Sequence, residues 1–357
     1  MSDIRDINVL VVGLGPAGSR AAFAAATRGY RVLAIDRKRE AGWPVQCAEF
    51  VPTLVSQELD GLDAVTSQAI ETMTTKVEDD TPDLTDGFRG RMIDRRAFDG
   101  SLVDRAIAAG ADCRFGLSFV DFGHDGAVGL GDGTQFTPRI VIAADGPRSR
   151  VGRSVGRVNR DIVETRQITV RLTAPGSATE IFLAAGIRGG YAWLFPKGGI
   201  ANLGIGVSPD AKPTLKPLLE QLHGTLQAEG RVGSEILAHT GGVIPVGGML
   251  DPVAALGDMP VLLAGDAAGL ANPVTGAGIA SAVMSGALAG EAAAAWLGGN
   301  RAALADYGEE LDDVFGVALA RALNRRRELL ASFETGDGPT PAALRRGWIG
   351  YPEYWAA

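Results

Sequence analysis

Two acids, each beside or downstream of glycines, stand where they could hold a nucleotide. Gly13, Gly15 and Gly18 form a G-x-G-x-x-G pattern, and Asp36 follows 18 residues after the last glycine. In such a pattern the first glycine turns the chain sharply. The second lets a pyrophosphate reach the backbone, and the third lets a helix pack on a strand. An acid at that distance accepts hydrogen bonds from a ribose diol. Further along, Gly265-Asp266 offers a second acid, and Gly276 and Gly278 follow it. Between the two stands Asp145-Gly146, with Ser149 close behind.

The elements that must position these residues are readable. Residues 7–12 form a Val- and Ile-rich run suited to a buried parallel strand. An Ala-rich helix follows through Thr27, with Pro16 and Ala17 in its first turn, and Gly29 ends it. A second strand closes at Asp36, and Arg37 next to it is expected, like Pro16 and Ala17, among the cofactor-binding residues. The helix N-terminus then faces the phosphates with free N–H groups. Asp36 favours an adenosine ribose without a 2′-phosphate, which leaves NAD or FAD. Residues 260–264 read as a strand running into Gly265-Asp266. A small-residue loop containing Pro273 comes next, and Gly276 and Gly278 open a long Ala-rich helix at Ile279. A second acid at a strand end suits the second part of one long cofactor. Asp266 would meet a ribityl hydroxyl, and the helix start would face the polar edge of a flavin ring.

Composition narrows the classes. The chain has 357 residues and a formal net charge of −8. That acidity argues against a general nucleic-acid binder, which needs a basic footprint. Glycine is in excess at 49 residues, spread without a period, so many tight turns are expected. Two cysteines, Cys47 and Cys113, make no disulfide framework, and a cytoplasmic setting fits. His124, His223 and His239 lie far apart without metal-ligand spacing, so no metal is expected. The N-terminal residues carry no signal-peptide pattern. Asp258, Asp266, Pro273 and glycines interrupt the apolar run at 252–300, so no transmembrane span is expected there. Peripheral contact with a membrane stays open.

The order of G-x-G-x-x-G, Asp-Gly and Gly-Asp resembles FAD-dependent enzymes of the para-hydroxybenzoate hydroxylase-like fold. Within that group the chain is most similar to the geranylgeranyl reductase family. The matching stretches are VVGLGPAGS, PVQCAEF, DRRAFDGSLVDRAIAAGA, AADGPRSRVGR, GGYAWLFPKGGIANLGIG and GDAAGLANPVTGAGI, from residue 11 to about 280. The resemblance implies a Rossmann-like α/β FAD-binding domain with an inserted antiparallel-sheet substrate domain and a C-terminal helical tail. The expected division is 1–159 with 258–300 for FAD, 160–257 for the insert, and 301–357 for the tail. It also implies that Cys47 and Ala48 lie near the flavin ring. Arg95 falls in the cofactor-contacting element, where it could balance pyrophosphate charge, with Arg96 as its competitor. Asp145 and Gly146 join the cofactor set, as do Pro273, Gly276, Gly278 and Ile279.

Residues 160–257 read as short strands separated by Gly, Pro and Ser, with one amphipathic helix at about 214–229. Lys197-Gly198-Gly199 should turn a hairpin. Alternation then puts Tyr191, Trp193 and Phe195 on one face and Ala192 and Leu194 on the other. By resemblance this is the family's Y-x-W-x-F-P element, with Pro196 at its end, which borders the substrate cavity. Arg325, Arg326 and Arg327 in the tail are expected on a solvated face, with contact to anionic lipid heads a minority reading. Cys113 is expected to be structural.

The function implied is an NAD(P)H-driven FAD reductase acting on carbon–carbon double bonds of an apolar, isoprenoid-like acceptor. NADH or NADPH would reach the flavin transiently. Cys47 is the candidate proton donor, with a bound water as its rival. Two other readings use the same scaffold. One is a flavin monooxygenase or halogenase; the other is an electron-delivery flavoprotein serving a partner protein.

Overall fold

A computed structural model of the chain describes residues 6–53, 61–123 and 126–356. His124 and the first five residues fall outside these. The strand Val9–Val12 pairs in parallel with Val32–Asp36 on one side and Ile140–Ala143 on the other. The six-stranded sheet runs Val253–Leu256, Met259–Leu263, Ile140–Ala143, Val9–Val12, Val32–Asp36, Asp112–Phe115. Only its first strand is antiparallel to its neighbour. The central strands are fully buried, which their continuous apolar runs require of a sheet covered on both faces. Cys113 sits in the edge strand, where burial pushes its thiol up to about 12 and keeps it inert.

Helix Pro16–Thr27 lies on this sheet and packs along helix Ile279–Leu297. Glycines set the approach. A Cβ on Gly286 would fall 2.1 Å from the carbonyl oxygen of Ala17, and one on Gly290 would fall 2.4 Å from that of Ala21. The two helices therefore run parallel, and their N-termini point the same way. The second starts about six residues earlier along the shared axis, about 9 Å at 1.5 Å per residue. Ile279–Leu297 is long and apolar enough to cross a membrane. Here its buried alanines and glycines pack into the α/β layer.

The second sheet has eight strands. Its path is Val232–Thr240, Ile162–Leu172, Ile200–Val207, Ala192–Lys197, Ala178–Leu183, Thr72–Val77, Asp83–Thr85, with Val243–Pro245 beside Ile162–Leu172. The insert was expected from residue 160 and wholly antiparallel. Two strands from before that point join it, and Thr72–Val77 pairs with Ala178–Leu183 in parallel. Helix Leu215–Ala228 covers one face through Leu215, Leu219 and Leu226. The other face carries the aromatic residues.

The tail is helical at Ala303–Leu311 and Val317–Ser332, then turns back through Pro341–Arg346 and Pro352–Trp355. The solvated-face reading of its arginine run holds for Arg327 only. Arg325 is buried and donates to the Tyr354 carbonyl at 3.0 Å. Arg326 donates to the Gly189 carbonyl at 2.6 Å. Burial lowers Arg326 to about 10, against the pull of Asp161. Arg325 thus satisfies a carbonyl of the returning tail, and Arg326 ties the tail helix to the turn before strand Ala192–Lys197.

Candidate active site

The glycine pattern separates into closed and open positions. A Cβ on Gly13 would meet the Ala144 carbonyl oxygen at 2.2 Å, and one on Gly18 would meet that of Gly13 at 1.7 Å. Both are fixed by packing. A Cβ on Gly15 would meet nothing within 4 Å. Gly15 is also the N-cap of helix Pro16–Thr27, with no side chain capping it. Backbone N–H groups thus open onto free space beside a positive helix end, the chemistry a pyrophosphate needs. Asp36 ends its strand close by. Its Oδ2 accepts from Leu14 N and its Oδ1 from Lys38 N, both at 2.8 Å. Arg37 beside it is exposed.

The second helix end repeats the arrangement. Gly278 is the N-cap of Ile279–Leu297, again without a side-chain cap. A Cβ on it would lie 3.1 Å from Asp266 Oδ1, so only glycine lets this carboxylate sit over the helix start. Burial pushes Asp266 up to about 6, with Arg95 pulling it the other way. Gly265 turns there at φ +59, and its N–H donates to Ser285 Oγ. Gly276, at φ +69, closes the loop after the buried Pro273.

Asp145 behaves differently. Its Oδ2 accepts from Arg150 N at 2.7 Å and Val151 N at 3.3 Å, while Ser149 Oγ bonds to Oδ1. The carboxylate is spent on its own helix start. Gly146, at φ +83 with open space around it, is the open position of this turn.

Arg95 and Arg96 divide as the helix face dictates. Arg95 makes a bidentate pair with Asp99, both bonds 2.9 Å. Although burial works against its charge, Asp99 and Cys47 hold it well above the ordinary arginine value. Arg96 points outward to Glu40 and over the Trp43 ring.

The hairpin forms as expected. Lys197 pairs with Ile200 across Gly198-Gly199, and Gly198 has φ +66. Trp193 and Phe195 are buried in one apolar cluster, Ala192 and Leu194 in the other. Ring centroids step 5.7 Å from Tyr191 to Trp193 and 6.3 Å from Trp193 to Phe195. Gly204, opposite Trp193 in the ladder, leaves the room its indole fills. Tyr191 Oη donates to the Thr275 carbonyl at 2.6 Å, which ties the aromatic face to the Gly276 loop. Burial, then the neighbouring Cys47, pushes its phenol above the usual range. Pro196 pairs with Ala201 without needing an N–H.

Cys47 lies on a loop held against this face. Its Sγ accepts from Glu49 N at 3.2 Å, and its carbonyl accepts from Gln167 Nε2 at 3.3 Å. Asn202 Nδ2 reaches the Ala48 carbonyl at 3.2 Å. Glu49 is the anchor that sequence reading missed. It is buried at φ +66 and accepts from Lys197 Nζ at 2.8 Å, Asn202 Nδ2 at 3.2 Å and Arg95 N at 3.1 Å. Its partners are scattered along the chain, so only the fold reveals the set. Trp348, in the aromatic stretch GWIGYPEYWAA, packs back onto this face, its ring 4.8 Å from Tyr191.

No family model matches the chain. Curated relatives do. It is 34% identical to the digeranylgeranylglycerophospholipid reductase of Methanosarcina acetivorans, over 82% of this chain and 76% of the relative. It is 36% identical to digeranylgeranylglycerophospholipid reductase 1 of Methanopyrus kandleri, over 81% and 80%. The chain belongs to the geranylgeranyl reductase family. A solved structure, a geranylgeranyl bacteriochlorophyll reductase-like protein from Thermoplasma acidophilum, matches with a TM-score of 0.82 at 25% identity over 98% of both chains. The fold expectation is met, and this member is an FAD-family reductase by descent. The myxobacterial chondrochloren halogenase, described as FAD-dependent, matches at TM-score 0.64 and 19% identity over 95% of this chain and 86% of its own. That likeness is one of fold alone. The residues present fit FAD: an open glycine at one helix end, an acid at the second, and a reductase-family aromatic wall between them and the tail.

Proposed function

We propose that this reductase uses FAD, is recharged by NADH or NADPH, and saturates carbon–carbon double bonds of an isoprenoid lipid. The observation that carries the reading is the single face formed by Tyr191, Trp193 and Phe195, tied to the Cys47 loop through Gln167 and to the Gly276 loop through Thr275. The apolar wall and both loops of the cofactor reading thus converge on one place. Residues 1–159 with 258–300 hold FAD, apart from the strands within 72–85, which join 160–257 in covering the acceptor, and 301–357 close over the aromatic face.

Gly15 and the Pro16–Ala17 turn would hold the pyrophosphate, and Asp36 the ribose. Asp266 and the Gly278–Ile279 turn would hold the ribityl and ring end, with Cys47 and Ala48 on the loop beside it. When bound, FAD supplies hydride transfer, and the chain's own groups supply orientation, dryness and a proton. Tyr191, Trp193 and Phe195 exclude water and present ring faces to an isoprenoid chain. Cys47 would give the proton at Sγ, and Arg95 beside it is fixed by Asp99. An isoprenoid lipid resides in membranes, so the same reading has a cytoplasmic enzyme working at a membrane surface.

The test is anaerobic. Purified holoenzyme should be yellow, release FAD, be bleached by NADH or NADPH, and regain colour on adding a geranylgeranyl lipid, with a saturated product by mass. Colour returning only with oxygen, and no saturated product, would point instead to a monooxygenase.

A further inference from the structure

A groove of about 330 Å³ opens where strand Ile162–Leu172 meets the start of helix Leu215–Ala228. Its walls include Glu164, Arg166, Lys212, Lys216, His239 and Gly241. That volume is of the order of a small ligand cleft. Strand alternation fixes where the groove lies. Gln167 and Thr240 are partners in the ladder, and both face the Cys47 loop: Gln167 Nε2 donates to the Cys47 carbonyl, and Thr240 Oγ1 donates to the Val45 carbonyl. The next pair, Ile168 and His239, faces the opposite way together with Arg166, toward the helix. The groove and the Cys47 loop are therefore one strand apart. They meet at Gly241, whose carbonyl accepts from Gln46 Nε2 at 3.1 Å.

The charge of this groove is opposite to that of the chain, which carries −8. Arg166, Lys212 and Lys216 stand against one lining carboxylate, Glu164. Glu164 is shared between Arg148 at 2.9 Å and Lys212 at 3.3 Å. Lys216 reaches Glu220 at 3.7 Å, with both side chains exposed. Among the described residues, the guanidinium of half-buried Arg166 has no hydrogen bond or ion pair. The sheet face does not need a cation for packing, since Ile168 and Val170 fill its next positions with apolar groups. Partial burial of an unpaired cation costs solvation, and a bound anion offsets that cost. A guanidinium fork flanked by two ammonium groups suits phosphate oxygens.

The reductant of the reading above carries phosphates. Its nicotinamide has to reach the flavin on the Cys47 side, so its adenosine end is the part that falls beyond Gly241. We propose that this groove holds the 2′-phosphate of NADPH and that the enzyme therefore prefers NADPH to NADH. This rests on the NADH or NADPH reading above.

The test follows anaerobic bleaching of FAD-loaded enzyme at low salt. Wild type should reach its half-maximal bleaching rate at an NADPH concentration about tenfold or more below that of NADH, the scale of a hydrogen bond to a charged group. In Arg166→Gln and Lys216→Gln that ratio should fall toward one. The limiting rate at saturating NADH should stay near wild type, which separates lost recognition from a damaged fold. Lys216→Gln carries the test if Arg166→Gln fails to retain FAD. A wild-type ratio of one would overturn the proposal, as would an unchanged ratio in the folded variants. A second arm addresses the other source of phosphate, a lipid headgroup. It measures flavin reoxidation by a geranylgeranyl lipid with and without a phosphate. Slowing confined to the phosphorylated lipid, with the nucleotide ratio kept, would overturn the proposal and give the groove to the headgroup. If neither nucleotide bleaches a flavin that dithionite does bleach, the NADH or NADPH reading itself falls and takes this inference with it.

Discussion

Trp193 and Gln167 are joined by a hydrogen bond of 3.0 Å from the indole Nε1 to the amide Oε1. The indole can only donate, so this bond fixes which way the amide faces. Its Nε2 is then aimed at the Cys47 carbonyl. Trp193 is thus both a wall of the apolar face and the orienting partner of the residue that holds the Cys47 loop.

Breaking that relay should loosen the loop. Gln167→Leu leaves the Trp193 N–H and the Cys47 carbonyl unpaired and should cost about 1–3 kcal/mol in denaturant unfolding. Trp193→Phe alone should cost less. The double variant should cost less than the sum, since both act on one chain of bonds. Additive losses would show that the two residues are energetically separate.

The glycine framework was legible because its constraints are local. Gly13 and Gly18 cannot carry a Cβ, and any sequence reader meets them within one short G-x-G-x-x-G stretch. Asp266 and Asp145 look alike in sequence, each beside a glycine at a strand end. They differ because helix Arg150–Ser154 starts close enough for Ser149 Oγ, Arg150 N and Val151 N to bond the Asp145 carboxylate, whereas Ile279–Leu297 starts only after a longer loop beyond Asp266. Glu49 and Lys197 lie 148 residues apart and meet only through tertiary pairing. The alternation of the hairpin was readable, but not that Gln167 and Asn202 would face the same side to hold a loop. Trp348 sits in a tail with no periodicity to announce its target.

Asp36 should matter for affinity rather than turnover. Asp36→Ala removes the proposed ribose acceptor and also frees Leu14 N and Lys38 N. FAD binding should weaken by about 1.5–3 kcal/mol, the scale for hydrogen bonds to a charged acceptor. Turnover at saturating FAD should stay near wild type. Fluorescence titration of the apoprotein measures the first and steady-state assay the second; an unchanged affinity would remove Asp36 from the site.

Asp266 should leave a mark on the pH dependence of stability. Burial raises it from 3.8 to about 6, so the unfolded chain gives up its proton first as pH rises. Stability from this group is full below about pH 4 and is lost as pH climbs through 6. Between pH 5 and 7 the flavin-free chain should lose about 1 kcal/mol on this account. Asp266→Asn should lack that component and be the more stable of the two at pH 7. Denaturant unfolding at both pH values checks the difference in slope; equal slopes would mean the carboxyl is solvated.

Cys47 is tested by separating the two half-reactions. If its Sγ gives the proton to the alkene, Cys47→Ser should leave FAD binding and flavin reduction by NADH or NADPH nearly intact. Serine keeps the size and can still accept the Glu49 N–H, so the loop should hold its place. It is a far weaker acid, and the step with the lipid acceptor should slow by about 10²-fold or more, the usual scale for losing a general acid. Stopped-flow measurement of flavin reoxidation by a geranylgeranyl lipid under anaerobic conditions reads that step alone. The Gln167→Leu variant supplies the contrast: its thiol is chemically unchanged but less well held, so its reoxidation should slow less than that of Cys47→Ser. Reoxidation at the wild-type rate in Cys47→Ser would leave the cysteine as a wall of the cavity and assign the proton to a bound water.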